Sequence, residues 1–275
     1  KVKKMKNTNK VILVVLDGLN ADVGLTCMGF LQALCEQHKA KAYKLQCELP
    51  SLSRPLYECI LTGVRPTDSG IYHNQINRLS KEKSVFNYCI QSNKVTAAAA
   101  YYWISELYNR SPFQAAFDRH TNDSSLPIQF GHFYYDDAYP DSHLFDDADH
   151  LRKIYRPDFL LVHSMNIDDA GHRFGLNSMQ YRNAARRADM LLSNYINLWL
   201  DDGYQIIVTS DHGMNNDLSH GGNLIEEREV PFYTIGDRFT NKNMDEPIQQ
   251  TEICGTICAL LKVEHDKTVC RNLLK

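Results

Sequence analysis

The 275-residue chain lacks several signatures that would assign its class at once. No apolar run approaches the roughly 20 residues needed to cross a bilayer, which excludes a transmembrane helix. There is no excess of positive charge: 30 Lys and Arg against 33 Asp and Glu leave a formal net charge of -3, without the basic signature of a nucleic-acid duplex binder. There is no internal repeat and no low-complexity linker. None of the eight cysteines forms a Cys-x-x-Cys pair, which argues against a zinc knuckle or a thioredoxin-like site. Disorder is excluded by 43% hydrophobic residues set in distinct runs.

Several cysteines sit in apolar stretches, as Cys89 does, and read as buried free thiols, favouring a reduced cytoplasmic setting. The basic segment 1–10 precedes an apolar run too short for a signal sequence. Met5 could be the natural start, with 1–4 an artificial extension. A leader removed before Lys1 would instead place the protein in a periplasm or outside the cell.

Short β-branched runs alternate with helical patterns. Residues 11–16 (Val-Ile-Leu-Val-Val-Leu), 158–163 and 204–209 are apolar on both faces, as central parallel strands are. Further strands are expected at 42–47, 95–100 and 230–235. Helices are expected at 25–38, 54–61, about 178–200 and 251–261, the last with Thr251 as N-cap. This alternation predicts one doubly wound α/β domain over 1–275. The aromatic- and Asp-rich stretch at about 101–149 is expected to be an inserted segment over the carboxyl ends of the strands.

Those ends carry the chemistry. Asp17 follows the first strand; Asp168 and His172 follow the strand ending at His163; Asp211 and His212 end another; His220 comes soon after. Singly each has a bland reading, since Asp-Gly is a common turn and His220 could be an ordinary loop residue. Jointly, three carboxylates and three imidazoles on one sheet edge make a mixed oxygen and nitrogen donor set suited to Zn²⁺, with Mn²⁺ or Mg²⁺ also able to accept carboxylate-rich ligation. Ser53, in Ser51-Leu-Ser53-Arg54-Pro55, is expected to cap the next helix, where the helix dipole suits an alkoxide or a phosphoryl group.

Taken in order, Val-Leu-Asp17-Gly, Ser53-Arg-Pro with Leu-Thr62-Gly63, Gly70-Ile71-Tyr72-His73-Asn74, Asp168-x-x-Gly-His172, Ser-Asp211-His212-Gly-Met and His220-Gly-Gly resemble the alkaline phosphatase superfamily, in particular its nucleotide pyrophosphatase/phosphodiesterase branch. The resemblance implies an alkaline phosphatase-like α/β fold with a mostly parallel sheet. It implies two divalent metal ions, one held by Asp168, His172 and His220, the other by Asp17, Asp211, His212 and the oxygen of Ser53. It also implies nucleophilic attack by Ser53 through a phosphoseryl intermediate, with the Asn74 amide donating to a phosphoryl oxygen. The expected substrate is a small phosphate ester or a nucleotide-like molecule.

Within that superfamily the sulfatase register needs Arg where Tyr57 stands, which argues against a sulfatase. Arg54 keeps a phosphomonoesterase open, because it could pair with a dianionic phosphate, although its bland reading is a solvated arginine at a helix start. The segment Tyr101-Tyr102-Trp103 with Glu106 resembles the diesterase leaving-group pocket and tilts the reading to a phosphodiesterase. Phosphonate hydrolysis stays an alternative. A catalytically inactive binding protein is the reading from another class, disfavoured because all seven candidate ligands are present.

Overall fold

The computed structural model describes residues 9–244 and 246–275; the expectations on 1–8 lie outside them. One sheet of nine strands runs through these residues. The strands are β1 (Lys10–Leu16), β2 (Ala40–Gln46), β3 (Thr96–Tyr101), β4 (His120–Asn122), β5 (Phe130–Tyr134), β6 (Phe159–Ser164), β7 (Tyr204–Thr209), β8 (Glu229–Ile235) and β9 (Ile248–Gln249). Their order is β4-β5-β3-β6-β1-β7-β8-β2-β9. The run β5-β3-β6-β1-β7 is parallel throughout, and β8 and β4 enter antiparallel.

β1 lies at the middle because it is apolar on both faces. Val11, Leu13 and Val15 pack into one core layer, with the helices Ser53–Thr62, Val85–Gln91 and Ile253–Leu261. Ile12, Val14 and Leu16 pack into the opposite layer, with the helices Asp141–Tyr155 and Met179–Asp201. The two-residue period of a strand divides its side chains between two helix layers in this way. Each fully buried Val, Ile or Leu contributes roughly 1.5–3 kcal/mol.

Four local expectations change. The single helix expected over 25–38 is two, Ala21–Cys27 and Gly29–Glu36, because Met28 leaves helical geometry (φ -93, ψ 79) before the weak helix former Gly29. Ser53 is the first helical residue rather than the N-cap, which is Leu52 in an extended conformation. Thr251 lies inside a 3₁₀ turn, Gln250–Glu252, whose start is closed by a reciprocal Gln249–Glu252 capping box. The stretch 101–149, expected as an insertion above the sheet, supplies β4 and β5 and the first part of the crossover helix to β6, since β5 pairs in register along β3. No helix among the described residues is long and apolar enough to cross a membrane.

Candidate functional site

The parallel strands end together on one edge, and β1, flanked by β6 and β7, sets the centre of that edge. Asp17 directly follows β1. Gly18 then turns the chain at φ +70, a conformation a side chain resists, and an added Cβ would lie 2.8 Å from Asp168 Oδ1. Asp168 and His172 sit four residues apart on the helix Asn166–Phe174 after β6, and so share a face. Asp211 and His212 leave the end of β7, and His220 lies in the loop beyond.

Two clusters result: Asp168 with His172 and His220, and Asp17 with Asp211 and His212. In the first, His172 Nε2 is 3.4 Å and His220 Nε2 3.7 Å from opposite oxygens of Asp168. In the second, His212 Nε2 is 3.5 Å from Asp17 and 3.2 Å from Asp211. Ser53 Oγ lies 3.0 Å from the same His212 nitrogen. Thus the nucleophile candidate and all six candidate carboxylate and imidazole donors meet on one edge.

The bonding of these groups fits a cation. Asp17 Oδ1, Asp168 Oδ1 and Asp211 Oδ2 are buried oxygens without a hydrogen-bond donor. Each imidazole spends Nδ1 on a backbone carbonyl: His172 on Leu218, His212 on Gly213 and His220 on Ser51, at 2.9, 2.8 and 2.7 Å. That bond puts a proton on Nδ1 and turns Nε2 toward the carboxylates, as a lone pair wherever the ring is neutral. His172 Nε2 and His220 Nε2 are 3.1 Å apart, a contact between two lone pairs unless a proton or cation lies between them.

Titration reflects the same crowding. Burial, then Asp211 and Asp168, hold the Asp17 carboxyl well above the usual range. Burial, with Asp168 next, pushes Asp211 up to about 7. Burial would raise Asp168 too, but the His172 hydrogen bond and the neighbouring imidazoles bring it below its ordinary value. The Asp168 bond pushes His172 up to about 9, whereas burial drives His220 down to about 4. Three buried carboxylates, with His212 and His220 shifted by burial toward the neutral form, make a site that a divalent cation would compensate.

Ser53 can face this site because its helix start is satisfied from elsewhere. A capping serine uses its oxygen on the N–H groups of its own first turn. Here the Arg54 N–H donates instead to Asn74 Oδ1 at 3.0 Å. The Asn74 carbonyl end is therefore taken, and its Nδ2 is the end left to donate to a ligand. Arg54 is not a solvated helix-start residue: its side chain is buried, its Nη2 donates to Glu106 at 2.8 Å, and its guanidinium lies 4.5 Å from the Trp103 ring centroid. Its Nε and Nη1 are buried without partners.

Several residues around the site carried no sequence signal of a role. Tyr57, noted only for departing from the sulfatase register, donates to Asp17 Oδ2, and His163 donates to the same oxygen at 3.2 Å. Ser51 anchors the His220 loop, accepting from Gly221 N at 3.0 Å and donating to the Gly222 carbonyl at 2.8 Å. Buried Glu227 accepts from Gly222 N and Asn215 Nδ2 at 2.7 and 2.6 Å. The repeated serines of Ser51-Leu-Ser53 were the one available hint; nothing in the sequence marked Glu227.

Comparison with known proteins agrees with this layout. A family described as type I phosphodiesterase / nucleotide pyrophosphatase matches residues 11–226. The catalytic subunit of human GPI ethanolamine phosphate transferase 2 is 23% identical over 97% of the chain, which spans only 28% of that relative's length. Murine ectonucleotide pyrophosphatase / phosphodiesterase 5 superposes with a TM-score of 0.76 at 13% identity, covering 97% of this chain and all of the other. An inactive variant of that murine protein, solved in complex with AMP, superposes with a TM-score of 0.74 at the same identity and coverage. These structural likenesses establish the alkaline phosphatase-like fold.

Proposed function

The chain belongs to the type I phosphodiesterase / nucleotide pyrophosphatase family, and from that premise we propose that it cleaves phosphodiesters through a covalent phosphoseryl intermediate on Ser53. The observation that carries this reading is Ser53 Oγ at 3.0 Å from His212 Nε2, beside the orphaned oxygens of Asp17 and Asp211. Asp17, Asp211, His212 and Ser53 would hold one divalent cation, and Asp168, His172 and His220 a second. The mixed donors favour Zn²⁺, with Mn²⁺ or Mg²⁺ as alternatives. When bound, such ions supply Lewis acidity, easing ionisation of a neighbouring hydroxyl and offsetting charge on the attacking and departing oxygens.

The chain's own groups then have separate tasks. Ser53 Oγ forms the bond to phosphorus as the bond to the leaving alcohol breaks. An incoming oxygen nucleophile later breaks the Ser53–phosphorus bond and restores the hydroxyl. Asn74 Nδ2 donates to a non-bridging oxygen. Arg54 has its charge offset by Glu106, which supports a monoanionic diester over a dianionic monoester as substrate. Tyr101, Tyr102 and Trp103 form edge-on ring contacts beside β3, supporting a substrate that carries a flat group such as a nucleotide base. The eight free thiols support a reducing compartment.

A second reading concerns the acceptor. With water the reaction is hydrolysis; with an alcohol it is phosphoryl-group transfer, favoured by an alignment to an ethanolamine phosphate transferase that covers nearly the whole chain. Steady-state kinetics of the Zn²⁺-loaded protein on a matched aryl phosphate diester and monoester test the proposal, with and without added ethanolamine. A kcat/KM favouring the diester is the expected result. A new ethanolamine phosphodiester, formed from the diester substrate at the expense of the phosphomonoester that hydrolysis leaves, would select transfer. Preference for the monoester would overturn the diester reading.

A further inference from the structure

Asp17 is bonded in an asymmetric way. Its Oδ2 receives two donors, the hydroxyl of Tyr57 and Nε2 of His163, whereas its Oδ1 receives none. Both donor side chains are almost completely buried, at 2% and 1% exposure, so no water replaces either. The two rings pack edge-on, centroids 4.5 Å apart and planes at 70°, which fixes the angle at which they reach the carboxylate.

Each donor is itself held. The backbone N–H of Tyr101 donates to His163 Nδ1 at 3.4 Å, so that nitrogen is an acceptor and the imidazole proton is on Nε2, directed at Asp17. His163 is the fifth residue of β6, paired in register with Val15 of β1, and the backbone N–H of Asp17 donates to the Ser164 carbonyl at 2.9 Å. Tyr57 lies four residues after Ser53 on the same helix, and so on the same face one turn along. The bond from Tyr57 therefore ties the nucleophile's helix to the end of β1.

We infer that Tyr57 and His163 are positioning residues for Asp17: they saturate Oδ2 and leave Oδ1 as the one carboxylate oxygen offered to a cation. The inference rests on the reading that Asp17, Asp211 and His212 hold a divalent ion, and adds to it the residues that orient the carboxylate. Partners of this kind commonly govern metal affinity by roughly 10–100-fold. They also make a specific distinction between the two clusters, because neither Tyr57 nor His163 bonds to Asp168, His172 or His220.

The test is a Zn²⁺ titration of the full chain against a chromophoric chelator, read together with the melting temperature of the metal-free protein. Tyr57→Phe removes one hydroxyl and keeps the ring; His163→Leu removes the other donor; His163→Gln restores an N–H near the position of Nε2. We expect the wild type to bind two ions. Tyr57→Phe and His163→Leu should each weaken one of them by about tenfold or more, leave the other unchanged, and His163→Gln should recover most of the loss. The inference is overturned if both ions bind these variants as they bind the wild type. It is equally overturned if both sites weaken together, the mark of a purely structural role, or if His163→Gln is as weak as His163→Leu. Fewer than two ions on the wild type would instead sink the two-cation reading, and this inference with it.

Discussion

The imidazole of His212 stacks on that of His220, with ring centroids 3.6 Å apart and planes 18° from parallel. One ring belongs to the cluster beside Ser53 and the other to the Asp168 cluster, so the two donor sets share a wall. The position of His220 depends in turn on its hydrogen bond to the Ser51 carbonyl, two residues before Ser53. A hydrogen bond and a ring stack therefore link the Ser51–Ser53 segment to both clusters.

Ser53→Ala should lower kcat for an aryl diester by on the order of 10⁴-fold or more, the scale of removing a nucleophile. The melting temperature should hold, because the hydroxyl caps no backbone group of its own helix. Retained turnover would eliminate the covalent route.

Asp211→Asn should reduce bound metal as well as rate. Its Oδ1 accepts from Gly18 N at 3.2 Å, whereas Oδ2 has no donor and would be the oxygen offered to a cation. Elemental analysis of the purified variant reads the outcome, and unchanged stoichiometry would remove Asp211 from the donor set.

Glu106→Gln should destabilise the fold by about 3–5 kcal/mol in denaturant unfolding, the usual consequence of leaving one partner of a buried ion pair uncompensated. Arg54 would then keep a buried charge with Nε and Nη1 already unpaired. The same variant should raise kcat/KM for a monoester relative to a diester, since the cation would be available to a dianion. An unchanged ratio would mean that Arg54 does not face the substrate.

Gly18→Ala should cost about 1–3 kcal/mol of stability and weaken metal binding, as a strained φ and a close approach coincide. The added Cβ would meet Asp168 at 2.8 and 2.9 Å, pushing on one of the candidate donor carboxylates. Parallel measurement of melting temperature and Zn²⁺ stoichiometry checks both effects.

Asp141 supplies a pH dependence away from the donor clusters. Burial pushes its carboxyl up to about 6, against the opposing bond from Ser164 Oγ at 2.5 Å. A folded pKa above the unfolded value means stabilisation that is complete below the unfolded pKa and lost as pH rises through about 6. Two pKa units correspond to ~3 kcal/mol. Relative to Asp141→Asn, the wild type should therefore lose about that much stability between roughly pH 4 and pH 7. Parallel pH dependences in the two proteins would refute the assignment.

The sequence by itself determined the central strands and the candidate donors at their ends. β1, β6 and β7 are continuous apolar runs, and a run buried on both faces has little choice but the middle of a sheet. Asp17, Asp211 and His212 stand directly after such runs, and Asp168 and His172 on the helix that follows another, so strand direction sends them to the same edge. The outermost strand β4 and its neighbour β5 were hidden within an aromatic stretch of weak periodicity, because their pairing is decided by what lies alongside them.

Only the tertiary structure decided how those donors are oriented. Tyr57 and His163 meet Asp17 across 40 and 146 residues of chain, and Glu106 meets Arg54 across 52. A tyrosine in an apolar helix and a histidine at the end of an apolar strand look like core until such a partner is brought beside them. Likewise, Ser53 could be placed at a helix start from its neighbours, but its hydroxyl is released to the site by Asn74, which comes from a separate loop. Hydrogen bonds of this kind follow from proximity in the folded chain, and local propensity carries no record of them.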